Sequence, residues 1–437
     1  MKTIHNPSIS SNSATTTSWF RTAAPYIHAH RGATFVIAFD GETIETSGFD
    51  SLVHDLALLS SLGIKLILVY GARPQIEQQC HSQDVEIHYH QGLRITDDAS
   101  LKIAQAVMGK LRINIEAKLS FGLPHTPMAH ARIRCISGNL ITARPVGIRD
   151  GIDFGHTGEV RRVDIQGIND QLTLGNMVLL PPLGYSPTGE IFNLAAEDIA
   201  TAVAIALTAD KLIFIGESNH GLPRELTVEQ AEQTSPEVAS RHHPFNAALR
   251  ACKSGVRRVH LLDRSQDGAL LQELFSRDGA GTLITAKSFE TIRQATIDDV
   301  GGILDLIQPL EQNGTLVKRS RDLLEVEIGH FTVMERDGSV VACAALYPYP
   351  HSDVAELACL AVSKDYQSLG RGDRLLSAIE QQATALGLNA LCVLTTQTAH
   401  WFIEHGFSGA EISDLPMEKQ ALYNYQRNAK VFKKILA

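Results

Sequence analysis

The chain has no apolar run near the ~20 residues that a membrane-spanning helix needs, so no membrane partner is expected. It also lacks a basic excess: 39 Lys and Arg face 48 Asp and Glu, a net charge of −9. That balance argues against nucleic acid as the main partner but leaves room for local basic pockets that take small anions. Six cysteines are scattered with no Cys-x-x-Cys pair, several inside apolar runs, which predicts buried thiols in a reducing cytoplasm. Eighteen histidines include His88 and His90 on one strand face, yet neither His-Glu-x-x-His nor mixed Cys/His spacing occurs, so no metal is expected. Residues 1–19 are rich in Ser, Thr and Asn without an apolar core, and read as a flexible tail rather than a secretory signal.

What is present is ordinary for a globular protein, with 44% hydrophobic and 20% charged residues. A length of 437 residues allows two or three domains, each with its own core. From 20 to 286 strand and helix patterns alternate. Strands are predicted over Thr34–Phe39, Ile64–Tyr70, Met177–Leu180, Lys211–Gly216 and Val256–Leu262, and helices over Phe49–Leu62, Ala195–Leu207 and Gly268–Phe275. That alternation predicts an α/β domain with a mostly parallel sheet covered on both faces. Between 286 and 291 the pattern changes. Glu290–Ile307 opens a new unit in which Ser288 or Thr296 could cap a helix. Asp337-Gly338 marks a hairpin between Phe331–Arg336 and Ser339–Leu346, and Ala390–Thr395 is a further strand. An α+β domain over 291–437 is the result.

The chemistry concentrates where the apolar run Glu356–Val362 meets Gln367-Ser368-Leu369-Gly370-Arg371-Gly372, before a helix with Leu375, Leu376, Ile379 and Ala383 on one face. Glycines at a helix start let backbone approach a ligand, and the unpaired N–H groups there attract anions. This strand, loop and helix resemble the pyrophosphate loop of the GNAT acetyltransferases. The resemblance implies that Leu360, Ala361 and Val362 pair with the pantetheine chain of acetyl-CoA. Gln367 to Gly372 would meet its phosphates, with Ser368 and Arg371 adding side-chain contacts or serving only as cap and solvated loop. Glu356, on the apolar strand just upstream, is the candidate base that removes a proton from the acceptor ammonium, unless it faces solvent. Many GNAT enzymes place a Tyr four residues before the late Gly-Phe pair. Here Gly406-Phe407 follows Phe402, which cannot donate, so Thr395 or a water would protonate the leaving thiolate, or it leaves as the anion.

Longer strings are similar to the bacterial N-acetylglutamate synthases from about residue 20 to the end. They include Glu273-Leu274-Phe275-Ser276-Arg277-Asp278-Gly279, Ala342–Pro348, His400-Trp401-Phe402 and Leu422–Arg427. This family joins an amino-acid-kinase-like sheet sandwich to a GNAT domain. The implied reaction takes acetyl-CoA and L-glutamate to N-acetyl-L-glutamate and CoA in the cytoplasm, with L-arginine as inhibitor and a ring-like homo-oligomer, a hexamer, as the assembly. Arg319 and Arg427 would each hold one glutamate carboxylate, or belong to a solvated basic face. Tyr26, Lys211, His260, Glu273 and Gly279 would hold arginine, although a solvated helix charge at Glu273 or a lysine merely leading into a strand at Lys211 is the plainer alternative.

Phosphate handling is expected to be lost. Where kinases of this fold carry Lys and paired glycines after the first strand, the chain has Ala38 and Asp40-Gly41. Their later three-glycine loop is Gly71-Ala72-Arg73-Pro74, and a third segment is replaced around Pro244-Phe245-Asn246. Loss of the cationic and glycine cradle removes transition-state stabilisation. Three other functions remain open on the sequence: a GNAT enzyme with another acceptor, a working acetylglutamate kinase, and a non-catalytic arginine-binding regulator.

Overall fold

Val36, Ile37, Ile67, Leu68, Val178, Leu179, Leu212 and Ile213 are all fully buried, as neighbouring strands covered on both faces require. A computed structural model of the chain describes residues 9–120, 133–217, 221–234, 243–286, 290–336, 338–350, 352–367, 370–421, 423 and 428–436. It divides into two compact units, Met1–Lys287 and Ser288–Ala437.

In the first unit an eight-stranded sheet runs in the order Glu225–Thr227, Thr282–Thr285, Arg258–Asp263, Lys211–Gly216, Thr34–Phe39, Lys65–Tyr70, Met177–Leu180 and Cys135–Ile136. Every pairing is parallel except that of Arg258–Asp263 with Thr282–Thr285. Alternate side chains enter separate cores, Phe35, Ile37 and Phe39 on one face and Val36 and Ala38 on the other. A four-stranded sheet, with Ile191–Asn193 and Gly158–Val163 at its edges, and two small two-stranded sheets, His88–His90 with Leu93–Ile95 and Ile148–Arg149 with Ile152–Asp153, also belong to the unit.

The tail expectation fails over its second half, because Ile9–His30 is one helix. Its later turns are anchored by Ala23 and His30, both buried. Extending an anchored helix costs far less than starting one, so the Ser- and Thr-rich turns continue it.

The second unit is a seven-stranded sheet in the order Glu290–Gln294, Phe331–Arg336, Ser339–Pro348, Val354–Val362, Ala390–Thr395, Lys430–Ile435 and Ser408–Ala410. All neighbours are antiparallel except Val354–Val362 with Ala390–Thr395. The helix Arg371–Ala385 buries Leu375, Leu376, Ile379 and Ala383, the face its spacing predicts. The unit opens with a strand, Glu290–Gln294. Pairing with Phe331–Arg336 accounts for it. Thr296 and Asp299 then form a capping box ahead of the helix Val300–Gln312; Ser288 lies outside the described residues.

Candidate functional site

Pairing along Val354–Val362 defines the site in the second unit. On one side the strand stays bonded to Ser339–Pro348 from Ala355 to Val362. On the other its parallel pairing with Ala390–Thr395 stops at Glu356, which faces Cys392. Beyond Glu356 the two strands diverge, and the edge that includes Leu360, Ala361 and Val362 makes no ladder to that neighbour. A bulge sharpens the divergence: the register passes from Ala345 opposite Ala358 to Cys343 opposite Ala361, and Cys359 takes a φ of +53°.

Glu356 stands at the vertex, 7% exposed. Its Oε2 accepts a 2.8 Å hydrogen bond from the Tyr349 hydroxyl and lies 2.8 Å from the Lys419 ammonium. Burial and then the Glu356 charge push the Tyr349 hydroxyl far above its ordinary value, so it remains a donor. Neither Tyr349 nor Lys419 announces itself in the sequence. Tyr349 lies one residue past the strand Ser339–Pro348, beside a turn, and Lys419 sits on a five-residue helix, Met417–Ala421, without periodicity to mark it.

At the other end of the opening, Gly370 has a φ of +65° and precedes a helix start without a side-chain cap. Glycine is needed there, and first-turn N–H groups are left for a ligand. A Cβ on Gly372 would stand 3.2 Å from the Trp401 ring. Gln367 is exposed and donates to the Val362 carbonyl at 3.2 Å. The Arg371 guanidinium is not turned to a phosphate. It is 4% exposed, donates to Glu290 Oε1 at 2.6 Å through Nε and stacks 4.7 Å over the Tyr366 ring. Glu290 also binds Arg374 and Arg336, and burial of this carboxylate is outweighed by these cations, so it is held below its ordinary value. Ser368, Leu369 and Arg427 lie outside the described residues.

Thr395 is buried and its hydroxyl accepts from the Thr398 amide at 3.1 Å, a cap for the turn into Ala399–Glu404. That bond leaves the hydroxyl proton free to donate elsewhere, including to the Thr398 hydroxyl 2.9 Å away. Arg319 is half-buried, beside the bulge. Burial opposes its charge, but Cys359, Tyr347 and Glu327 raise it above its ordinary value.

In the first unit, four of the five expected effector residues form one chain of contacts. The Lys211 ammonium is 3.2 Å from His260 Nε2, and His260 Nδ1 is 2.5 Å from Glu273 Oε1. Glu273 Oε2 accepts the Ala280 and Gly281 amides at 2.6 and 2.9 Å. Gly279 has a φ of +64°, and a Cβ there would collide with the Glu273 carboxylate. Burial alone would raise Glu273; the His260 hydrogen bond and the two amides hold it down at about 2. Burial and Lys211 lower His260 to about 4. The consistent state is a Lys211 cation donating to Nε2 of a neutral His260, whose Nδ1–H donates to an ionised Glu273. Tyr26 lies on the helix Ile9–His30, packed against the same core as Leu274.

The parallel strands of this unit end at a cavity of about 340 Å³ lined by Ala38, Asp40, Gly41, Gly71, Arg73, Asn193 and Arg264, among others. Asp40 fills its glycine loops. It caps Thr43 at 2.8 Å and receives Arg264 at 2.6 Å. A carboxylate in that place repels phosphate. No group of His, Cys, Asp and Glu able to hold a metal occurs among the described residues.

Residues 33–263 match the amino acid kinase family, and residues 303–407 match the acetyltransferase (GNAT) family. Amino-acid acetyltransferase from Azotobacter vinelandii is 53% identical over 426 residues, covering 96% of this chain and 99% of that protein. The Pseudomonas fluorescens protein of the same name is 52% identical with the same coverage. N-acetylglutamate synthase from Neisseria gonorrhoeae, solved with coenzyme A and L-arginine, is 38% identical with a TM-score of 0.84, covering 96% of this chain and 99% of that one. The same enzyme with coenzyme A and N-acetyl-glutamate superposes with a TM-score of 0.61 and the same coverage.

Proposed function

The chain belongs to the amino-acid acetyltransferase family, and from that premise we propose how its own residues carry the reaction. It is an N-acetylglutamate synthase: the acetyl group of acetyl-CoA passes to the amine of L-glutamate, giving N-acetyl-L-glutamate and CoA. Acetyl-CoA supplies the thioester carbonyl that the amine attacks.

The residues present suit this cosubstrate. The edge at Leu360, Ala361 and Val362 offers backbone groups to the pantetheine amides. Gly370 and Gly372 keep side chains away from the helix start, whose N–H groups take pyrophosphate. Ser368 and Leu369 would complete that loop. Arg371 serves it indirectly, by fixing the helix start to Glu290.

Glutamate arrives as an ammonium and must lose a proton before it can attack. Glu356, at the vertex beside the acyl segment, takes that proton, and Arg319 and Arg427 each hold one carboxylate of the acceptor. The thiolate leaves as the anion or takes a proton from Thr395 or water. The splayed strand with a buried carboxylate at its vertex is the observation that carries this reading. Glu356→Gln should lower kcat by about 10²–10⁴-fold with acetyl-CoA binding retained; a variant within threefold of the parent would remove Glu356 from the mechanism.

In the first unit, Asp40 with Arg264 in the glycine loops and Ala38 in place of a lysine support a domain that no longer transfers phosphate. The Lys211–His260–Glu273 chain, Gly279 and Tyr26 support a site for L-arginine as feedback inhibitor, the Glu273 carboxylate receiving its guanidinium. Six free thiols suit the cytoplasm, and the family likeness supports a ring-like homo-oligomer, a hexamer.

A further inference from the structure

The base proposed above is already engaged. Of its two oxygens, Oε2 carries both the Tyr349 hydroxyl and the Lys419 ammonium, each at 2.8 Å, while no hydrogen bond to Oε1 is present among the described residues. The pair is well shielded, with side-chain exposures of 22% for Lys419 and 10% for Glu356. An ion pair so placed is neither screened like a surface pair nor cheap to bury.

The other groups facing this carboxylate are neutral. Cys392, its partner on the next strand, is pushed up to about 12 by burial and then by Glu356. Tyr347, its partner on the preceding strand, is raised by burial and by its hydrogen bond to Glu327. Tyr349 is raised by burial and by Glu356 itself. Lys433 pairs in register with Cys392 rather than with Glu356. Among the described residues Lys419 is the cation in contact with Glu356.

We propose that Lys419 is a positioning residue for the acetyl transfer: with Tyr349 it clamps Oε2, fixes the orientation of the carboxylate, and leaves Oε1 to take the proton. This rests on the reading of Glu356 as base. The step balances. One N–H bond of the glutamate ammonium breaks and an O–H bond forms at Oε1, giving a neutral amine and a neutral carboxyl, while Lys419 keeps its own protons. The amine nitrogen then bonds to the acetyl carbon as the C–S bond breaks and its electron pair leaves with sulfur; the second excess proton on nitrogen passes to the thiolate, directly or through water, giving the neutral amide and the CoA thiol.

The test is the split between kcat and the KM for glutamate in the full-length enzyme, with acetyl-CoA binding by calorimetry as the check that each variant is folded. Lys419→Met should lower kcat by about tenfold, within the loss that a misplaced catalytic group produces, with the KM for glutamate near parental. Lys419→Arg should recover most of that loss, which a purely structural role would not require. Should Lys419→Met fail to bind acetyl-CoA, Lys419→Gln takes its place with the same expected loss. A folded neutral variant with parental kcat, with Glu356→Gln inactive, overturns the role of Lys419 and spares the base. A Glu356→Gln enzyme that keeps its activity overturns the base, and the proposal with it.

Discussion

Glu290 offers a quantitative test of how the acetyl-CoA loop is held. Its side chain is 5% exposed and pairs with Arg371, Arg336 and Arg374, which are 4%, 17% and 46% exposed. Glu290→Gln removes the charge on which all three converge. Arg374 and, in part, Arg336 can turn to water, but Arg371 is left buried and uncompensated. Breaking a buried pair costs ~3–5 kcal/mol, and two escaping partners put this case near the low end, about 3 kcal/mol. Arg371→Met leaves Glu290 with two cations and should cost only about 1 kcal/mol, the ordinary scale of a lost hydrogen bond. The double variant should cost less than the sum, with an interaction of about 1–2 kcal/mol. The readout is the calorimetric transition that acetyl-CoA raises, since a ligand stabilises the unit that binds it. If Arg371 acted on phosphate instead, Arg371→Met would cut acetyl-CoA affinity while that transition stayed still, and the two stability effects would add.

Three further outcomes are expected. Gly372→Val should weaken acetyl-CoA at least tenfold by calorimetry, because its Cβ would already stand 3.2 Å from Trp401 and crowding of this kind costs ~1–3 kcal/mol; unchanged affinity in a folded variant would refute the loop assignment. Glu273→Ala should raise the arginine concentration for half-inhibition by about 5–150-fold, the range of a ~1–3 kcal/mol coupling, with turnover in the absence of arginine near parental; inhibition at the same concentrations would sink the sensor. His30 is lowered to about 4 by burial and then Lys211, and His260 to about 4 likewise. Their folded values lie below the unfolded one, so between pH ~6.5 and 4 the unfolded chain binds more protons and stability is lost as the pH drops, by up to about 3 kcal/mol per histidine. Glu273 adds its loss only below about 4.5, so a urea midpoint that is flat from pH 7 to 5 would contradict the buried neutral histidines.

The legible part of the fold is the part set by local pattern. Thr34–Phe39 and Ala390–Thr395 are strands with the predicted ends, because runs of apolar side chains bounded by turns have few other solutions. The glycines of Gly370-Arg371-Gly372 were legible as backbone positions. Arg371 was not legible as a side chain, because its partner Glu290 is 81 residues away and charge alone does not choose between a phosphate and a carboxylate. Lys419 was hidden for the same reason, its partner Glu356 lying far back along the chain, and Tyr349 because it falls just past a strand end, where no pattern fixes its direction. The helix Ile9–His30 runs on into a segment of polar composition because its anchor, Ala23 with His30, is tertiary. Asp40 was legible as a missing glycine, but its capture of Arg264 required the fold.

The central claim is tested most directly by CoA release from acetyl-CoA across the amino acids, with and without L-arginine, using the full-length enzyme. Glutamate should support turnover with kcat/KM at least a hundredfold above every other amino acid, aspartate included, since a site that pairs both carboxylates penalises their misplacement by about 3 kcal/mol. Release that is equal across acceptors, or confined to a lysine amine, would contradict it.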